Sequence, residues 1–286
     1  MREEIFNRLN KVKYLSTVST SLIGQLADIH SFDIEVEELA ELVEKDPAVL
    51  ARIVGVANSA SFSPKTPVYT AKDAIFNVLG VRTAKALAIA ILIGGNFNTK
   101  LCPSFSAQQF WHRSLLAGFI AQNLAEKSTI DDIRTQPERA YLIGVLHGLG
   151  ILAMVDIKSD AMATIFNKSG NNVFQLMSLS SEMLGVTPAE VGEYIAERWG
   201  LTDDIISALA HYHERDYRGM NWELSFLLQM SIDIATSLID GETDIKGMSQ
   251  RLSAIGISQH DGVAVIEKAM ASYENISIMA DVLSMD

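Results

Sequence analysis

The side chains with the most chemistry to offer sit in two places. His147 interrupts the apolar run Ala140 to Met154, AYLIGVLHGLGILAM. On a helix its neighbours are Ile143, Gly144, Gly150 and Ile151, which leave an imidazole in mostly dry surroundings. Such a ring needs a partner: a carbonyl or carboxylate to bond, or an ion or small ligand to hold. The second place is the stretch His211, Tyr212, His213, Glu214, which is able to chelate a stray cation, although a solvated helix end explains it better. Cys102 has no histidine near it in the chain and adjoins Pro103. That setting suits an inert loop or interface thiol better than a nucleophile. Neither standard form of glycine-rich phosphate loop is present.

The elements that must position these groups read as helices. Apolar residues recur at steps of three and four, and strict alternation over a strand length is scarce, so the chain is expected to be all-α. Leu142, Val145, Leu146 and Leu149 form the buried stripe of one helix entered through Pro137, with His147 on another face. Gly144 and Gly148, four residues apart, would let a second helix approach closely. Upstream, helices are expected over Glu3–Val12, Ser21–His30, Glu35–Glu44, Pro47–Ala57, Ala71–Leu79 and Val81–Ile93. Asp46 before Pro47, Thr70 with Asp73, Ser106 with Gln109, and Thr187-Pro188-Ala189-Glu190 supply helix starts. Asn58-Ser59 marks a helix exit where asparagine tolerates the left-handed conformation, and Pro64 and Pro67 forbid a prompt return. Cys102-Pro103-Ser104 follows Gly94, Gly95, Asn96 and Asn98 and reads as a lobe boundary with a cleft. It divides the chain into 1–103, 104–215 and a helical extension, 216–286.

Composition narrows the partners. The 286 residues carry 23 basic and 35 acidic side chains, a net charge of −12, without a strong basic cluster. That field repels phosphate backbones and anionic lipid surfaces, which argues against nucleic acid and membrane as partners. One cysteine excludes an internal disulfide and fits a reducing compartment, so a cytoplasmic location is expected. The N-terminal residues lack the apolar core of a secretion signal, and the run from Ala84 to Gly95 is too short to span a bilayer.

Two resemblances carry functional expectations. DPAVLARIVGVANSASF (Asp46 to Phe62), preceded by VEELAELVEK and followed by DAIFNVLGVRTAKALAIA, resembles the N-terminal part of the HDOD family from about Val36 to Ile93. It combines Asp-Pro, Asn-Ser and Leu79-Gly80 at the family's spacing; upstream, Tyr14-Leu15-Ser16 replace that family's usual proline-bracketed leucines. The central run resembles the heart of the HD superfamily of metal-dependent phosphohydrolases, and FWHRSLLAG from Phe110 and the Glu190-Val191-Gly192 and Arg198-Trp199-Gly200-Leu201 pair resemble the HD-like half of the HDOD family. Catalytic members of the superfamily carry His-Asp where this chain has His147-Gly148. By the same resemblance, ligand histidines are replaced by Arg113, Pro188 and Tyr212, while His213 keeps a peripheral position. His112 lies one residue from the first of these, about 100° around the helix. A protonated guanidinium cannot bind a cation, and magnesium or manganese needs oxygen donors.

The resemblance therefore implies a two-lobed HDOD-like fold, not an enzyme, with no cofactor and with His147 and His213 as remnants of a metal site. It implies a bacterial signal-transduction regulator that acts on other signalling proteins or binds a small molecule or nucleotide. Asp46, Asn58, Ser59 and Arg113 are the candidate contacts, although capping and turn formation explain the first three on their own. Reorientation of the lobes flanking Pro103 would transmit the signal. Two other readings stand beside this one: a divergent phosphohydrolase using His147, His213 and acids such as Asp156, and a nucleotide sensor without turnover.

Overall fold

The computed structural model describes residues 1–11, 36–59, 62, 64–95, 97–170, 172–241 and 246–284. The expected helix Ser21–His30 and the Tyr14-Leu15-Ser16 departure lie outside them. Every described element is helical. They begin with α1 (Arg2–Lys11), α2 (Val36–Glu44) and α3 (Pro47–Ala57). Asp46 starts α3 as expected: Oδ1 accepts from the Ala48 and Val49 amides at 2.9 and 3.3 Å, and Pro47 occupies the first turn. Thr70 likewise accepts from the Asp73 amide at 3.0 Å. The helix it opens is not regular, however. Residues Ala74–Leu79 wind as a π-helix before α4 (Gly80–Gly94), and Gly80 takes φ 75° at the junction, a backbone that glycine adopts without strain.

Asn58 departs from its expected left-handed turn, with φ −88° and ψ 0°. Its carboxamide instead works as a clip. Nδ2 donates to the Val54 and Val68 carbonyls at 3.1 and 2.7 Å, and Oδ1 accepts from the Val68 amide at 2.9 Å. A carboxamide carries the same donor and acceptor as a peptide group, so one side chain closes the segment between Asn58 and Val68.

The second half is built on α5 (Ala107–Ala125), whose buried residues run almost unbroken from Phe110 to Ala125. A helix buried on nearly every face belongs inside a fold. It packs against α6 (Pro137–Leu146), α12 (Trp222–Ile239) and the long C-terminal α13 (Gln259–Ser284). Between α6 and α12 come α7 (Leu149–Ile157), α8 (Ser159–Ser169), α9 (Val173–Leu184), α10 (Pro188–Arg198) and α11 (Asp203–His211). The capping box of α10 forms in full: Thr187 Oγ1 accepts from the Glu190 amide, and Glu190 Oε2 accepts from the Thr187 amide at 2.7 Å.

The central apolar run is two helices, not one. Helix α6 stops at Leu146, and α7 restarts at Leu149 after the His147-Gly148 turn. Three glycines explain how this pair sits in the core. A Cβ on Gly144 would lie 2.3 Å from Gly118 Cα, so α5 and α6 cross backbone to backbone there. A Cβ on Gly150 would lie 1.8 Å from the Pro188 carbonyl oxygen, where α7 meets α10. Gly148 faces the Phe110 ring. By length and composition, Ala71–Leu92 and Pro137–Ile157 reach the span of a bilayer, which the shorter Ala84–Gly95 run did not suggest. The second of these is broken at His147 and almost wholly buried by protein, the condition of a core helix.

Candidate functional site

The turn at His147 aims its ring into a cavity of about 180 Å³, bounded on another side by the loop after Pro103. Four residues at helical spacing, Ser106, Gln109, Phe110 and Arg113, bring one face of α5 to this cavity. Phe105, Phe166 of α8 and Ile151 of α7 supply apolar walls, and Tyr212 lies at the end of α11. Phe105 is the hub of the aromatic wall, with ring centroids 5.5 Å from Phe110 and 5.8 Å from Phe166.

Of the partners its dry setting allows, His147 has a carbonyl. Nδ1 lies 2.6 Å from the Gly144 carbonyl oxygen, an acceptor, so Nδ1–H donates and Nε2 is left as the acceptor of a neutral ring. Burial pushes its pKa down to about 4, opposed by the Gly144 bond and reinforced by the nearby Arg113 charge. Tyr212 stands edge-on to it, ring centroids 5.9 Å apart, and its hydroxyl donates to the His147 carbonyl at 3.4 Å. Burial raises the phenol's pKa, so it stays protonated. Arg113 is the one charged residue among the described residues of the lining. Burial disfavours its charge, Asp240 favours it, and guanidinium basicity keeps it protonated.

A divalent ion does not fit this donor set. Arg113 brings positive charge and no lone pair. Gly148 has no side chain, and the space a side chain would take is filled: a Cβ there would lie 2.3 and 2.6 Å from Phe110 Cε2 and Cζ. Pro188 is buried in the first turn of α10. A protonated phenol occupies the fourth position. Among the described residues no group of three or more His, Cys, Asp or Glu side chains is arranged to hold an ion.

The remaining sequence candidates are dispersed. His213 faces a separate small cavity with Phe174, Gln229 and Asp233, and the Tyr212 ring is 5.9 Å from it and from His147 alike. Asp156 does not line the His147 cavity; its carboxylate accepts from the Asn98 backbone, and burial raises its pKa. His112 lies edge-on to Tyr273 of α13, centroids 4.5 Å apart, as its one-residue offset from Arg113 requires. His211 pairs with Glu214 at 2.9 Å and stacks on Tyr217. Cys102 is buried, and burial pushes its thiol pKa up. Asp46 and Asn58 are engaged in the cap and the clip, and Ser59 Oγ is buried without a hydrogen-bond partner among the described residues.

The sequence reading missed Phe105, Gln109, Phe110 and Phe166. For Phe110 a signal existed: it lies three residues before Arg113, on the same helical face. Phe166 comes from a distant helix and had none.

Comparison with known proteins agrees with this architecture. The family model described as HDOD domain matches residues 15–215. A solved structure from Marinobacter aquaeolei VT8, provisionally named a signal transduction protein, is 19% identical with TM-score 0.75, covering 94% of this chain and 59% of its own. One from Shewanella amazonensis SB2B, provisionally named a phosphohydrolase, is 24% identical with TM-score 0.69, covering 94% and 99%. An HDOD domain protein of unknown function from Geobacter sulfurreducens is 18% identical with TM-score 0.70, covering 98% and 97%. An uncharacterized Treponema pallidum protein is 21% identical over 224 residues, 78% of this chain and 42% of the relative's length. The present chain thus spans under half of that relative. With a family model covering most of its length, the chain belongs to the HDOD family.

Proposed function

We propose that this protein is a non-catalytic regulator in bacterial signal transduction, working by binding on a degenerate HD scaffold. One observation carries the reading: the Phe110 ring fills the place of the missing aspartate, beside a guanidinium where the resemblance calls for a ligand histidine. Phosphate-ester hydrolysis on an HD scaffold depends on cations that activate water and neutralise the transferring group, and this lining repels them. Its output is contact with other signalling proteins. The residues that follow the segment clipped by Asn58 support a role there, since Tyr69 and Phe76 are 78% and 72% exposed, unusual for large apolar side chains. Elemental analysis of purified protein, with nucleotide and phosphodiester hydrolysis assays, tests the reading. Substoichiometric metal and no turnover are expected. Stoichiometric manganese, iron or magnesium with hydrolysis abolished by His147→Ala would overturn it.

A further inference from the structure

We propose that the cavity around His147 binds a neutral aromatic molecule whose ring carries an N–H or O–H donor, and that this donor is met by His147 Nε2. This deepens the binding reading above and rests on it only in treating the cavity as a binding site rather than a reaction centre. Three features define the ligand.

The first is the acceptor. The Nδ1–H of His147 is committed to the Gly144 carbonyl at 2.6 Å, which fixes the tautomer and leaves a lone pair on Nε2. Nε2 has no hydrogen-bond partner among the described residues, yet it is not sealed in protein as His112 Nε2 is; it opens on the cavity that the ring lines. The side chain around it is buried, so an unanswered lone pair there is costly. A donor carried by the ligand answers it.

The second feature is charge. Arg113 shares the lining, but Arg113 and Asp240 both have interaction partners, and the Asp240 carboxylate already favours the charged guanidinium. The described lining therefore has no spare cation to offset the desolvation of an anionic ligand. His147 does not supply one, because burial keeps its ring neutral. A cationic ligand would lie beside a guanidinium. A neutral ligand meets neither penalty.

The third is the wall. Phe105 holds Phe110 and Phe166 in a tilted aromatic cluster, ring centroids 5.5 and 5.8 Å away, and Ile151 completes an apolar surface. Tilted rings receive the edge or face of another ring favourably. Ser104, Ser106 and Gln109 add polar groups to a cavity that is open to solvent. The recognised unit is thus one ring with its donor, and the remainder of a larger molecule can extend outward.

The test is calorimetric titration of the full chain near neutral pH, treated with chelator so that the result is independent of any hydrolysis. Indole and benzofuran are the probes, because they share shape and apolar surface and differ in a ring N–H against a ring oxygen. Indole is expected to bind at one site roughly tenfold tighter, since benzofuran sets an oxygen against the Nε2 lone pair. Indole-3-carboxylate keeps the ring and the donor and adds a negative charge; it is expected to bind no tighter than indole. His147→Phe keeps an aromatic ring, removes the acceptor and should abolish the preference for indole. If that variant fails to fold, nitrogen NMR of the imidazole in the unaltered chain decides: indole should shift the His147 Nε2 signal, and benzofuran should leave it in place. Equal affinity for indole and benzofuran, no indole binding in the millimolar range, tighter binding of indole-3-carboxylate, an Nε2 signal indifferent to indole, or a preference that survives in folded His147→Phe would each sink the proposed ligand class. Metal-dependent turnover in the hydrolysis assay above would instead defeat the reading on which it rests.

Discussion

Replacing Gly150 with alanine tests the crossing that fixes where the His147 turn sits relative to α10. Alanine favours a helix interior over glycine by about 0.5–1 kcal/mol, so propensity alone predicts a gain. The structure predicts the opposite. The new Cβ would lie 1.8 Å from the Pro188 carbonyl oxygen, 2.7 Å from the Gly192 nitrogen and 2.8 Å from the Pro188 carbonyl carbon. All three are backbone atoms, which cannot rotate aside as a side chain can. Helices α7 and α10 must separate locally by about 1.5 Å to restore ordinary van der Waals contact. Such overpacking costs about 1–3 kcal/mol and occasionally more, and separation also loosens the buried residues of both helices. With three backbone atoms in the way the upper end of that cost applies, and a net loss of about 2 kcal/mol follows once propensity is subtracted. Urea unfolding followed by far-UV circular dichroism reads it as a lower midpoint. Two controls isolate the cause. Gly192→Ala, across the same crossing, meets Gly150 N at 3.5 Å, and Gly55→Ala in α3 meets nothing within 4 Å. Both should keep or raise the midpoint. A Gly150→Ala protein as stable as the unaltered chain would refute the backbone-contact reasoning.

Other substitutions probe the site and its supports. Gly148→Asp restores the family carboxylate but drives it against the Phe110 ring beside Arg113, so the purified variant should retain no stoichiometric manganese after dialysis; elemental analysis checks this. His147→Gln should narrow its stability deficit as the solution is acidified. An imidazole whose native pKa is depressed, here to about 4, contributes stability above its unfolded pKa and loses it as the pH falls through the native value. From about pH 7 to pH 5 the difference between the two proteins should shrink by about 2 kcal/mol; a constant difference in denaturation midpoints would contradict the burial argument. Arg139, 5% exposed, donates to Asp204 at the start of α11 and to the Asp132 carbonyl at 2.7 Å. Asp204→Ala leaves that cation underpaired and should cost about 2–4 kcal/mol, visible in thermal unfolding.

Much of this molecule follows from local rules. Helical periodicity, the caps at Asp46, Thr70 and Thr187, and the mismatch of His112 and Arg113 depend on residues a turn apart, so they were legible in the chain. The same reasoning identified His147 as a ring in need of a partner, and the structure selects the Gly144 carbonyl three residues before it from among carbonyl, carboxylate and ligand. It failed where a local preference had an alternative. Asn58 suits a left-handed turn or a clip across ten residues, and only the position of Val68 selects the clip. Nor could periodicity reveal the break at His147-Gly148, since a kinked pair of helices keeps the same apolar stripe. Folding alone supplied the cavity. Phe110 enters the space left by the absent aspartate, and Phe105 and Phe166 close an aromatic wall around one guanidinium. Sequence determined which donors were gone. What fills their place was decided by side chains converging from separate helices, which one-dimensional spacing does not encode.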